Sequence, residues 1–275
     1  MTAINLEHAL DDRVPSLPDL CEEAEGLLLI GLPAACRTPQ PRFHAIERQR
    51  YARRYTDLAL GFEAYFGRFS AKRRSTLRRK ERRLAERCGG ALDIRSYRTP
   101  AEVEAFFSLA RPLSGRTYQE QRLGAGLPDS AAFRSQAAKL AAADRLRAWL
   151  LFVDGAPAAY LYAPADGATV IYDYLGYDPD LADFSPGTVL QLHAMRELME
   201  ERRFRWFDFG GGDGDHKRQF ATGAVECVDM LLLRRQSLPN AAAAVLLPTF
   251  DRMVAVAKRV LNAAGGGGLV RFVRR

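Results

Sequence analysis

The run Leu27–Leu32 is continuously apolar and predicts a strand, and the basic, aromatic stretch Arg42–Tyr55 predicts one or two more. From Gly61 the apolar spacing changes to three and four. Phe62, Tyr65, Phe66 and Phe69, followed by Leu77, Leu84 and Cys88, predict helical structure to Arg87, closed by Gly89-Gly90. Ala91–Tyr97 alternates as a strand should. Thr99-Pro100 with Glu102 opens a helix whose buried face is Val103, Phe106, Phe107 and Ala110. Asp129 is the expected cap of a further helix reaching Ala143.

The strongest pattern lies between Arg145 and Tyr177. Three apolar runs, Ala148–Val153, Ala158–Ala163 and Thr169–Leu175, are separated by Asp154-Gly155 and Asp166-Gly167. Asp-Gly between apolar runs signals a tight hairpin, so a three-stranded antiparallel meander is expected. Ser185-Pro186-Gly187-Thr188 then opens an amphipathic helix to about Arg203, followed by a short strand at Arg205–Phe209 and a last strand at Val225–Leu233. A final amphipathic helix is expected over Asn240–Asn262, before Gly265–Gly268. The order is that of an α+β fold with a mixed sheet: a meander, then a helical crossover to a further strand, which in the family named below is a splayed one. The expected division is 1–69 as a partial N-terminal half, 70–237 as the core, and 238–275 as helix and tail.

Composition sharpens this picture. At 275 residues, with 48% hydrophobic and 27% charged side chains, the chain is ordinary globular protein of one large or two modest domains. Its most apolar short run, Leu27–Leu32, is stopped by Pro33, well short of a membrane span, and Glu7, Asp11 and Asp12 stand where a secretory signal would be basic, so a cytoplasmic location is expected. Cys21, Cys36, Cys88 and Cys227 contain no C-x-x-C pair, so no metal site is expected. Nine bases against two acids between Lys72 and Arg87 account for the whole net charge of +7. One basic element decorates an otherwise neutral chain.

Four blocks follow one another in order: Ser70–Lys80 (SAKRRSTLRRK), Tyr174-Leu-Gly-Tyr-Asp-Pro, Ser185-Pro-Gly-Thr-Val-Leu, and Phe207–Phe220 (FDFGGGDGDHKRQF). Together they resemble the FemAB-like branch of the GNAT acyltransferase superfamily, of the CelD type named for cellulose biosynthesis, over about Gly61–Arg235. The resemblance implies an enzyme that moves an acyl group from a thioester, usually acyl-CoA or acetyl-CoA, to an amine. The pyrophosphate loop R/Q-x-x-G-x-G/A of single-domain GNATs is not spelled out here; only Ser185-Pro186-Gly187-Thr188 stands at that junction.

Such a reaction needs a diphosphate grip, a polarised carbonyl, a base for the amine and a proton for the leaving thiolate. Ser185, Pro186, Gly187 and Thr188 are the candidate cofactor site, through backbone N–H groups at a helix start; a plain helix cap is the competing use. A backbone N–H of the Thr169–Leu175 strand would polarise the carbonyl. Asp173, in phase with Ile171 and Leu175 on a face expected to be apolar, is a candidate base, or merely caps a neighbour. Asp208 either meets substrate or bonds the N–H groups of the following glycine loop, to which Asp213 also belongs. In FemAB-like proteins the loop lies by the acceptor pocket, which makes His216 a second candidate base and Lys217 a holder of a carboxylate or phosphate. Tyr174, with Tyr172 and Tyr118, is a candidate proton donor, though strand tyrosines commonly serve as cross-strand partners. Arg116 and Tyr118 fall where the resemblance implies acceptor contacts.

The basic helix admits a solvated face, an electrostatic side role toward an acyl-carrier protein, the 3′-phosphate of coenzyme A or an anionic membrane surface, or nucleic acid. Nucleic acid is disfavoured because no aromatic residue interleaves Lys72–Arg87. Two competing functions remain: an aminoacyl-tRNA-dependent FemABX-type transferase, and a non-enzymatic nucleic-acid or membrane binder on the same fold.

Overall fold

The computed structural model describes residues 1–11, 26–36, 42–117, 126–212 and 214–247. The expected helix Asn240–Asn262 is described only to residue 247, and Tyr118 and Asp213 lie outside the described residues.

The chain forms two compact units, Met1–Arg53 with Gly211–Asp213 and Ala224–Arg275, and Arg54–Gly210 with Gly214–Gly223. These bounds differ from those expected at 69/70 and 237/238. In the first unit, β1 (Thr2–Ala3) runs parallel to β2 (Gly26–Pro33), α1 (Leu6–Leu10) follows β1, and β3 (Phe43–Asp57) begins. The last strand, Gly223–Arg234, returns antiparallel to β2. Gly31 has φ of 75°, and a Cβ there would meet the Arg53 guanidinium at 2.6 Å, so only glycine fits. The Asp229 carboxylate secures this bend by accepting from the Gly31 N–H and the Tyr51 hydroxyl.

The larger unit takes over β3 at Arg54. The expected helix from Gly61 to Arg87 is two: α2 (Phe62–Gly67) and α3 (Ala71–Arg87). Ser70, extended at φ −57° and ψ 153°, separates them, its side chain accepting from the Arg73 N–H. Next come β4 (Asp93–Tyr97), α4 (Pro100–Arg116), α5 (Ala131–Ala142), β5 (Leu146–Val153) and β6 (Ala156–Asp166). Thr99 and Glu102 form the capping box. The cap of α5 is Ser130 rather than Asp129, whose carboxylate is held by Arg134. The third meander strand is broken into β7 (Thr169–Ile171) and β8 (Tyr174–Tyr177). α6 (Pro186–Glu201), β9 (Trp206–Asp208) and α7 (Asp215–Phe220) complete the unit.

Strands β4, β5, β6 and β8 form an antiparallel run, and β7 bridges the far end of β6 to β9, with which it pairs in parallel. Alternation along β5 sends Trp149, Leu151 and Val153 to a cluster with Leu77, Leu84, Leu190, Met195 and Leu198. It sends Leu146, Ala148, Leu150 and Phe152 to a second cluster with Val103, Phe106, Phe107 and Ala137. Helices therefore cover both faces, which is why every residue of β5 is buried and why its sequence is continuously apolar. Each large side chain so covered contributes about 1.5–3 kcal/mol.

Candidate active site

The meander's third strand is where the sheet opens. Ala165 pairs with Val170, but Tyr162 pairs with Tyr174, so the strand carries one residue more than β6 between these points. That extra residue is a bulge at Tyr172-Asp173. Before it, β7 is zipped to β9: Thr169 to Trp206, Val170 to Phe207, Ile171 to Asp208. The contact ends with the Tyr172 N–H donating to the Asp208 carbonyl at 2.8 Å. The next residue of that side, Phe209, turns away and donates its N–H to the Arg54 carbonyl. Beyond the bulge β8 pairs only with β6, and no strand of the described residues meets its other edge. The Asp178 N–H donates to Ala158 at 2.8 Å, so alternation aims the amides of Tyr174 and Gly176 at β6 and those of Leu175 and Tyr177 at the open edge. The expected splay is present, with two backbone donors along it.

The bulge also corrects the phase expected for Asp173. Val170 and Tyr172 belong with the first cluster, yet so does Leu175, while Tyr174 packs with the second. Asp173 therefore does not share a face with Ile171 and Leu175 as regular alternation would have it. Its charge is felt by Tyr162 and Tyr174, whose hydroxyls it makes harder to ionise. The Asp173 side chain stays open to solvent, but the surrounding protein strips enough water from the carboxyl to push it from 3.8 up to about 6.

Tyr172 turns the other way. Its ring lies 6.0 Å from Phe207, 5.8 Å from Phe209 and 5.9 Å from the His216 imidazole, and burial raises its hydroxyl far above the ordinary value. The His216 imidazole is pushed down, first by burial and then by Lys217, so it is neutral at neutral pH. Thus Asp173 and His216 flank the bulge through different neighbours and are not a mutually bonded pair. Tyr174, the tyrosine expected to be catalytic, stacks with Phe133 and Tyr162.

α6 begins beside the open edge. A Cβ on Gly187 would meet Leu175 Cδ2 at 3.0 Å and Tyr177 Cδ1 at 3.2 Å, so the glycine seats the helix start against β8. The expected grip is narrower than the motif implied. Pro186 has no N–H, and the Thr188 N–H is spent on the Ser185 carbonyl at 3.0 Å. Ser185 is left-handed at φ 55° and its side chain makes no cap bond. Gly187, which is buried, is the residue of this first turn whose amide has no acceptor among the described residues.

Two acceptor-side expectations are revised. Asp208 is 1% exposed and accepts from the Gly210 N–H at 2.8 Å, so it latches the glycine loop and is not open to substrate. Arg116 is half exposed, but its guanidinium is held by Asp178 at 3.0 Å and Asp180 at 2.9 Å. Sequence reasoning passed over Arg73 and Lys80 as part of a solvated face. The readable signal is that they occupy the apolar stripe itself, at the spacing 73, 77, 80, 84.

The acetyltransferase (GNAT) domain family matches residues 71–218, which is more than half of the chain and spans α3 to α7. The chain belongs to the GNAT acetyltransferase family. It is an acyltransferase on that ground, and its mixed sheet is the GNAT fold. Among solved structures it is similar to FemX (TM-score 0.56, 14% identity, covering 84% of this chain and 77% of that one). It is also similar to a conserved protein of unknown function from Bacteroides thetaiotaomicron (0.52, 14%, 84% and 76%) and to L-PGS from Bacillus licheniformis (0.50, 15%, 79% and 71%). At these identities the likeness is one of fold. No curated protein matches it by sequence.

Proposed function

We propose that this GNAT protein transfers an acyl group from a thioester, with acyl-CoA as donor, to an amine by direct attack. The observation that carries the reading is the edge of β8, left unpaired beyond a bulge that holds a carboxyl pushed up to about 6. The thioester would lie along that edge with its carbonyl oxygen toward the Leu175 or Tyr177 amide, where charge develops as the amine nitrogen bonds to the carbonyl carbon. Asp173 takes the amine's proton; near 6, its affinity for protons is better matched to this work than that of an ordinary carboxylate. As the carbon–sulfur bond breaks, the proton that Asp173 has taken passes to the departing thiolate, the stronger base, so the thiol leaves neutral and Asp173 returns to its charged form. Acetyl-CoA and longer acyl-CoA esters at saturating concentration raise the melting temperature by mass action. No shift with any CoA ester up to millimolar concentration contradicts the reading.

A second reading has one observation in its favour. With a single amide left at the start of α6, the diphosphate grip is slight. A donor attached to tRNA would not need it, as in an aminoacyl-tRNA-dependent FemABX-type transferase. Turnover of aminoacyl-tRNA without any response to CoA esters would select that reading.

A further inference from the structure

Helix α3 is unusual less for its charge than for how little of it is answered. Of its nine cations Arg87 alone meets a carboxylate among the described residues, Asp154 at 3.3 Å. On its outward side Arg74 bonds the backbone carbonyls of Gly67 and Phe69, Arg78 lies over the Phe66 ring, and a groove of about 320 Å³ is lined by Ala71, Arg74, Ser75, Arg78 and Arg82. The inward side differs. Arg73 is clamped between two rings, 5.0 Å from the centroids of both Phe69 and Phe220, and donates to the Gln219 side chain of α7. Its Nε is buried and has no acceptor. Two turns on, on the same helical face, stands Lys80, half-buried and without any carboxylate among the described residues. Burial, then Arg73 and Arg79, push its ammonium below the ordinary lysine value.

A rigid guanidinium with an orphaned buried donor, next to a lysine whose charge is opposed by its surroundings, is a site short of one anion. We propose that Arg73 and Lys80 bind a phosphate group on the face of α3 turned toward α7. The planar guanidinium, fixed by its two rings, offers the fork that suits phosphate, and the lysine supplies a point charge. A bound dianion would answer both cations, the charge of the Arg73 guanidinium and that of the Lys80 ammonium. This goes beyond the reading of the β8 edge and does not depend on which thioester reacts there. The phosphate is that of a nucleotide-bearing donor, either the 3′-phosphate or diphosphate of coenzyme A or the backbone of an RNA.

Isothermal titration of the full chain at about 50 mM salt tests it, with adenosine 3′,5′-bisphosphate, inorganic pyrophosphate and tRNA as the three probes. The bisphosphate or the RNA binds the wild-type protein, and which of them binds names the source. Lys80→Gln and Arg73→Gln each weaken the binding at least tenfold, Lys80→Arg restores most of it, and Arg82→Gln, on the outward face, changes it less than twofold. If Arg73→Gln lowers the melting temperature by loosening the ring clamp, Lys80→Gln decides, because its ammonium has no ring or hydrogen-bond partner among the described residues. Undiminished binding by Lys80→Gln, equal weakening by Arg82→Gln, or no binding of any probe at millimolar concentration overturns the site. Because no acyl transfer is measured, failure of the acyl-CoA reading leaves this result standing.

Discussion

β7 and β8 are two halves of one strand, yet they do opposite work. β7 is closed on both edges, by β6 and by β9, and its Val170 is fully buried. β8 is closed on one edge only, and the joint between the halves carries a carboxyl that burial disfavours in its charged form. The closed half stabilises the fold, and the open half gives up ladder bonds and solvation for access to its backbone. A closed edge and an open one are thus separated by a single inserted residue.

The largest expected effect falls on the open half. Asp173→Asn lowers the rate of acyl transfer by about 10²–10⁴-fold, and the acid limb of the wild-type rate profile, centred near pH 6, disappears with it. Stability moves the other way. The folded carboxyl holds its proton to a higher pH than the unfolded one at 3.8, so stability falls as pH rises from about 4 through about 6. Above that window Asp173→Asn raises the melting temperature, by only about 1–3 °C because the side chain is partly solvated, and the gain vanishes below pH 4. A variant both slower and less stable at neutral pH would break the contrast.

In the closed half, Val170→Ala costs about 1–3 kcal/mol in urea unfolding and leaves kcat per folded molecule unchanged. Gly187→Ala is milder. Its Cβ presses on Leu175 and Tyr177, nudging α6 from the open edge and raising the donor KM severalfold at constant kcat. Tyr172→Phe keeps the ring packing on Phe207 and Phe209 and removes only the hydroxyl, a weak acid in its buried place, so kcat changes less than about threefold with little change in stability.

The same contrast explains what could be read before the structure. Hairpins at Asp154-Gly155 and Asp166-Gly167, the cap at Thr99 and the crossover helix follow from local turn chemistry and periodicity, and all are present; the splay, also present, was implied by the family resemblance alone. The bulge left no local mark, since Thr169–Leu175 reads as one apolar strand; its position is set by pairing to Ala165 on one side and Tyr162 on the other. Asp173 was therefore legible as a misplaced carboxyl but not in its true orientation. Asp208 and Arg116 were legible as charged, while the Gly210 N–H and the Asp178–Asp180 pair that occupy them are matters of tertiary geometry. At α6, Ser-Pro-Gly-Thr announced a helix start, but only the backbone shows that the Thr188 amide is already bonded. Arg73 and Lys80 were hidden because a run of cations reads as solvated surface until Arg73 is seen between two aromatic rings and Lys80 half-buried on the same helical face.

Amide hydrogen exchange at Leu175 and Tyr177 tests the open edge most directly, with Val170 as internal reference. The account predicts fast exchange at both in the free protein and at least tenfold slowing with saturating acetyl-CoA, while Val170 remains slow throughout. Protection of Leu175 and Tyr177 already in the free protein, or exchange indifferent to every thioester donor, would contradict it.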